Sequence, residues 1–126
     1  MISDVREALE SAVPGSASGE VSARFVFGSD LPLFSGHFPG DPVLPGVLQI
    51  EMVRAVLDAS RGLRHRIVRV RSAKFKRKVE PGEGIDVALT SRDEAGEVRV
   101  KATLSVGDEV AAVISLVAAR LGEDAQ

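Results

Sequence analysis

The sequence predicts an α+β fold in which one antiparallel sheet wraps a long central helix. Residues 46–60 carry apolar side chains on nearly every side of a helix, the mark of a buried helix and not a surface amphipath. Downstream, four stretches switch to an apolar period of two. The turns between them hold Pro81-Gly82-Glu83-Gly84, Glu94-Ala95-Gly96 and Gly107-Asp108, residues that reverse a chain.

In chain order, residues 3–13 read as a short helix. Ser3 or Asp4 can cap it, and Val5, Ala8, Leu9 and Ala12 fall at helical spacing. The run 14–19 breaks it. A strand is expected over 20–27, where Val21, Ala23, Phe25 and Phe27 alternate with more polar residues. A Gly- and Pro-rich loop spans Gly28 to Pro45, and the central helix follows, its narrow polar stripe being Glu51, Arg54 and Asp58. Strands are expected at about 65–79, 84–92, 96–106 and 109–120. In the first of these, Val68 and Val70 share one parity and Ala73 and Phe75 the other; a bulge near Ser72–Ala73 would put both pairs on the core side. No repeat or linker interrupts residues 1–126, which read as a single domain.

Composition removes several function classes. The 126 residues are 44% apolar, enough for a core, built mainly from Val, Leu, Ile and Ala because only five Phe and neither Tyr nor Trp are present. Without Cys there is no disulfide framework, thiolate zinc site or Cys nucleophile. Two His argue against a His-rich metal centre. No apolar run reaches membrane-spanning length, and MISDVREALE has neither a basic nor an apolar signal region, so a cytoplasmic protein is expected. Net charge is −2, yet residues 61–78 hold nine of the 16 Lys and Arg and no acid. This band reads either as a solvated strand face or as a docking site for an anionic partner, in preference to nucleic acid.

The chemically informative stretch runs from Phe34 to Glu51. Pro39, Pro42 and Pro45 stiffen it, while Gly36, Gly40 and Gly46 permit close approach or positive φ. It presents His37 and then feeds the buried helix. Gly46 falls at the helix N-terminus, where unpaired N–H groups suit a developing oxyanion. Glu51 follows about one turn later among apolar residues, which suits a general acid. On residues alone, two readings stay open. His37 is a general base or an ordinary loop histidine. Glu51 is an acid or one member of a structural stripe, paired to Arg54 at i+3, with Asp58 four residues beyond Arg54. His65, among arginines at a strand start, reads as a surface residue without a role.

Gly36-His37-Phe38-Pro39, Pro45-Gly46-Val47-Leu48 and Glu51 stand in an order and spacing that resembles the FabA/FabZ-type 3-hydroxyacyl-[acyl-carrier-protein] dehydratases. Ala73-Lys74-Phe75-Lys76-Arg77-Lys78-Val79-Glu80-Pro81-Gly82 resembles a second strand-and-turn motif of that family. The resemblance covers most of residues 34–82. It implies a hot-dog fold and an obligate dimer, with the His of one subunit facing the acid of the other. It also implies that His37 removes the α-proton of a 3-hydroxyacyl thioester and that Glu51 protonates the departing hydroxyl, directly or through water. The Gly46 N–H would hold the thioester oxygen, and Phe38, Pro39 and Val47 would line the substrate slot. Neither a cofactor nor a metal is implied.

An acidic acyl carrier protein bearing the thioester is the implied partner of the basic band, through Arg71, Lys74, Lys76, Arg77 and Lys78. Glu51, where FabA-like relatives carry Asp, favours dehydration without isomerisation. The family's Glu-Ala-Met-Ala-Gln run appears as Glu51-Met52-Val53-Arg54-Ala55, so its Gln is lost and Arg54 is new. An Arg54–Glu51 pair would hold Glu51 ionised and weaken it as an acid. The chain therefore resembles a divergent member, serving fatty-acid or polyketide or aryl-polyene synthesis. Two alternatives stand beside it: a weakly active or inactive subunit of a dehydratase heterodimer, and a hot-dog acyl-CoA thioesterase.

Overall fold

The structure is a computed structural model and describes residues 2–28 and 43–121. In these, α1 (Ile2–Ala8) leads into β1 (Leu9–Pro14) and β2 (Glu20–Val26). Then come α2 (Gly46–Arg61), β3 (His65–Phe75), β4 (Gly84–Glu94), β5 (Glu97–Val106) and β6 (Glu109–Arg120). The strands form one sheet in the order β1-β2-β4-β5-β6-β3, with every neighbouring pair antiparallel. This is the α+β hot-dog arrangement, with α2 as its central helix.

The core is the contact between α2 and the inner sheet face. Leu48, Met52, Val53, Val56 and Leu57 meet Phe25 of β2, Ile85 and Leu89 of β4, Leu104 of β5, and Ile114 and Leu116 of β6. Each such side chain contributes roughly 1.5–3 kcal/mol by leaving water. α2 begins after Pro45, whose extended backbone (φ −61°, ψ 145°) starts the helix without a side-chain cap. It ends at Gly62 in the left-handed region (φ 64°), whose N–H donates to the Asp58 carbonyl at 2.9 Å. The helix is less uniformly buried than expected, because Val47 is 64% exposed and Ala59 is exposed too, while Glu51, Arg54 and Asp58, the expected polar stripe, are partly covered.

Three expectations are corrected. The helix expected over 3–13 stops at Ala8, and Leu9–Pro14 pairs with β2 from Leu9↔Phe25 to Pro14↔Val21. Ladder pairing with an existing strand overrides a weak local helical pattern. In β3, register shifts fall between Ile67 and Arg69 and between Val70 and Ser72, so two irregularities replace the one expected near Ser72–Ala73. Ile67, Val70, Ala73 and Phe75 are the residues opposite the inward-facing Ala118, Leu116, Ile114 and Ala112 of β6. Val68 falls in the first irregularity. Val70 and Phe75 stay 42% and 48% exposed, because β3 is an edge strand. It also ends at Phe75, four residues early, where Lys76 and Arg77 N–H both turn to the Ala111 carbonyl.

The β4–β5 connection is a two-residue turn, Ala95-Gly96, closed by Glu94↔Glu97. Both turn residues have positive φ, 52° and 82°, as the twist of a tight hairpin demands.

Candidate active site

The site is built around the start of α2. Leu48 and Gln49 N–H donate to the Pro45 carbonyl at 3.1 and 3.2 Å. The amides of Gly46 and Val47, one step earlier, have no acceptor within the helix and sit at its positive end. Gly46 is present for close approach and not for positive φ: a Cβ there would stand 2.8 Å from Phe75 Cζ. A groove of about 590 Å³ opens beside it, lined by Leu44, Gly46, Gln49, Phe75 and Lys76 among others. Gln49 is buried at 3% exposure, its Nε2 donating to the Leu44 carbonyl at 3.2 Å. A larger hollow, about 850 Å³, lies at the other end of α2 around Ser16 and Arg61; it touches neither Gly46 nor Glu51, and its Arg61 is bound to Asp93 and Ser91.

Glu51 lies little more than one turn beyond Gly46. Arg54 Nη2 stands 2.5 Å from Glu51 Oε2, the i+3 pair anticipated from sequence. That oxygen is enclosed and makes no hydrogen bond among the described residues, so its contact with Arg54 is one of charge, without hydrogen-bond geometry. Asp58 is engaged by His65: the imidazole Nδ1 meets Asp58 Oδ1 at 2.7 Å. His65 is fully buried, which corrects its reading as a surface residue. The Gly62 cap reverses the chain and folds the start of β3 under the end of α2, so His65 becomes interior while Arg64 and Arg66 on either side of it stay exposed.

His37, Phe38 and Pro39 lie outside the described residues, as do Gly36 and Gly40. The two ends of their segment are described. Gly82 N–H donates to the Phe27 carbonyl at 2.8 Å, and Leu44 N–H donates to the Val79 carbonyl at 2.8 Å. The chain therefore leaves for His37 and returns from it at a single turn, residues 79–82.

Known proteins of similar sequence and fold place the chain. The ApeI-like dehydratase family model, described as ApeI dehydratase, matches residues 14–114. The chain belongs to the ApeI-like dehydratase family. Among curated relatives of this ApeI-like chain, the 3-hydroxyacyl-[acyl-carrier-protein] dehydratase FabZ of Verminephrobacter eiseniae (strain EF01-2) is 41% identical over 91 residues, 64% of this chain. The match spans 61% of that relative's own length, under two thirds of it. The dehydratase heterocomplex ApeI:P from Xenorhabdus doucetiae superposes with a TM-score of 0.68 at 22% identity, covering 89% of this chain and 96% of that one. A variant of the fluoroacetyl-CoA-specific thioesterase FlK superposes with a TM-score of 0.69 at 12% identity, covering 88% and 92%. These two likenesses show the shared hot-dog fold.

The basic band of this ApeI-like chain is not one patch. Arg77 binds Glu83 through both terminal nitrogens, at 3.0 and 2.7 Å, and reaches Glu109 at 3.3 Å. The hydrogen bond to Glu83 raises the guanidinium's pKa, and the same bond, with the Glu80 N–H, lowers that of the Glu83 carboxyl. Arg71 lies apart from the Gly46 groove, by a hollow of about 650 Å³ on the sheet with Arg92, Arg99 and Lys101. Lys76, Arg77 and Lys78 line the Gly46 groove itself. No three His, Cys, Asp or Glu side chains converge as metal ligands among the described residues, and none of the described helices is long and apolar enough to cross a membrane.

Proposed function

We propose that the chain removes water from a 3-hydroxyacyl thioester carried on an acyl carrier protein, giving the trans-2-enoyl thioester. The observation that carries this reading is the placement of Gly46 and Glu51 on consecutive turns of one helix, with the groove at its N-terminus. His37 takes the α-proton at C2. The thioester oxygen gains enolate character and is held by the Gly46 N–H at the positive end of α2. The C3–O bond breaks, the C2–C3 double bond forms, and Glu51 delivers a proton to the departing hydroxyl, releasing water. General acid–base help of this kind is worth about 10²–10⁴-fold per group. Phe38, Pro39 and Val47 line the acyl slot.

The working unit in this reading is a homodimer in which His37 of one subunit serves Glu51 of the other. The exposed Val47, Val70 and Phe75 support it, being apolar side chains that a second subunit would cover. The carrier protein docks on the cations that line the groove, Lys76, Arg77 and Lys78, and on Lys74 two residues before Lys76. Arg77 contributes its charge there while its hydrogen bonds are committed to Glu83 and Glu109.

The deciding experiment incubates the protein with a panel of 3-hydroxyacyl carrier-protein thioesters and reads the products by mass spectrometry. Enoyl thioester from wild type and none from His37→Ala, with assembly intact, is the expected result. Free acid would point to a thioesterase. A second reading, a weakly active subunit that pairs with a different dehydratase chain, is favoured by the Arg54–Glu51 contact. It predicts no turnover by the isolated chain and recovery of turnover on adding that second chain.

A further inference from the structure

We propose that Arg54 is a positioning residue for Glu51: it pins Oε2 and so presents Oε1 to the departing hydroxyl, an inference that rests on the dehydratase reading above. The two side chains are only 18% and 22% exposed, and their closest atoms stand 2.5 Å apart. In such partly dry surroundings a charge contact is much stronger than in water. The backbone at Arg54 is held in place, since Val53 and Ala55 on either side are buried in the core. A glutamate side chain otherwise swings through several rotamers, and ordering it costs free energy at every turnover. Holding one oxygen removes that freedom before substrate arrives. Misplacing a reacting group by about 1 Å can cost on the order of 10²-fold in rate, so the gain is large enough to measure.

The contact with Oε2 lacks hydrogen-bond geometry, and among the described residues that oxygen has no other hydrogen-bond partner. Oε1 is then the oxygen that carries the proton to the departing hydroxyl. Arg54 steadies the carboxylate that forms as that proton leaves, so the contact strengthens along the reaction. The opposite effect, a weaker acid, is the outcome in which Arg54→Met raises kcat. A guanidinium does not give up its proton in proteins, so Arg54 supplies orientation and not the proton.

The test measures kcat and KM on a carrier-bound 3-hydroxyacyl substrate for wild type, Arg54→Met, Arg54→Lys, Glu51→Gln and the Glu51→Gln/Arg54→Met double variant. Thermal midpoint and assembly are checked first. Arg54→Met is expected to lower kcat about tenfold or more with KM changed less than about threefold, because the lost interaction serves the reacting geometry and not ground-state binding. Arg54→Lys, keeping the charge, restores most of the rate. In the Glu51→Gln background the Arg54→Met change costs nothing further, the non-additivity of residues that act as a unit. Where residual Glu51→Gln turnover is too slow to read, the Lys rescue decides, and where Arg54→Met does not fold, Arg54→Gln replaces it.

An Arg54→Met protein with unchanged or higher kcat overturns the proposal, as does an equal loss in both backgrounds or no rescue by Lys. Failure of the wild type to form any enoyl product sinks the dehydratase reading, and this inference with it. A turning-over wild type beside an unaffected Arg54→Met sinks only the role of Arg54.

Discussion

Arg77 grips Glu83 with two parallel hydrogen bonds, and the turn they brace, residues 79–82, fastens both ends of the segment that carries His37. A cation that reads in sequence as one more member of a docking band thus serves the architecture of the site. Glu83 accepts a third hydrogen bond, from the Glu80 N–H at 2.8 Å, so the carboxylate closes the turn from within.

Glu83→Gln is therefore expected to lower Tm and to reduce kcat/KM several-fold, although residue 83 touches no substrate. Because the Glu83 carboxyl is lowered in the folded chain, its stabilisation is fully present above the ordinary glutamate value of about 4.3. It fades as pH falls below that value and is gone once pH has passed the lowered folded value. The wild-type and variant melting curves should differ at pH 7 and converge in acid. Parallel curves at all pH values would show that the turn does not depend on this charge.

The Gly46–Phe75 approach gives a second prediction. Alanine at 46 must push the ring away, since its Cβ would stand 2.8 Å from Phe75 Cζ. The Gly46→Ala variant should lose about tenfold in kcat/KM as the helix N-terminus or the ring moves off the thioester position. Adding Phe75→Leu should return part of it, because the obstacle is then smaller. A Gly46→Ala enzyme with wild-type kinetics would place the oxyanion elsewhere.

The fold was legible in the sequence wherever a segment's own pattern decided its structure. Residues 46–60 gave α2 nearly to the residue, since Pro45 before it and apolar positions around it leave one solution. The last three strands follow from period-two runs between turn residues. β1 was hidden because LESAVP has no apolar alternation of its own and becomes a strand through pairing with β2. At the site, Gly46, Glu51 and the Arg54 pairing could be read from spacing along one helix. His65 and Arg77 could not, because their partners, Asp58 and Glu83, meet them only after the chain reverses at Gly62 and at residues 79–82.

His65 supplies a third prediction. Its Nδ1 meets Asp58 at 2.7 Å and the ring has no exposure, so His65→Ala removes a hydrogen bond and opens a cavity between α2 and β3. A loss of about 2–4 kcal/mol, read from the urea midpoint, is expected. An unchanged midpoint would show that the pair does not clasp the two elements.

The β4–β5 hairpin offers a gain in stability. Ala95 holds φ at 52°, a region where its Cβ is crowded, while Gly96 beside it is free to do so. Ala95→Gly or Ala95→Asn should stabilise the chain by about 0.5–1 kcal/mol without altering turnover, because the turn lines none of the hollows described above.

The proposed dimer yields the last prediction. β3 is an edge strand, and an edge with unpaired backbone groups and exposed apolar side chains invites another chain. Val70 and Phe75 lie on its helix side, opposite inward-facing β6 residues, yet are 42% and 48% exposed. Val70→Asp would place a charge where a second subunit is expected to bury a methyl pair, and desolvating that charge opposes association. Sedimentation should show a larger monomer fraction than wild type at the same concentration. Turnover per subunit should fall with it, because His37 would then lack the partner's Glu51. A Val70→Asp protein that dissociates and keeps full activity would mean that each chain carries a complete site by itself.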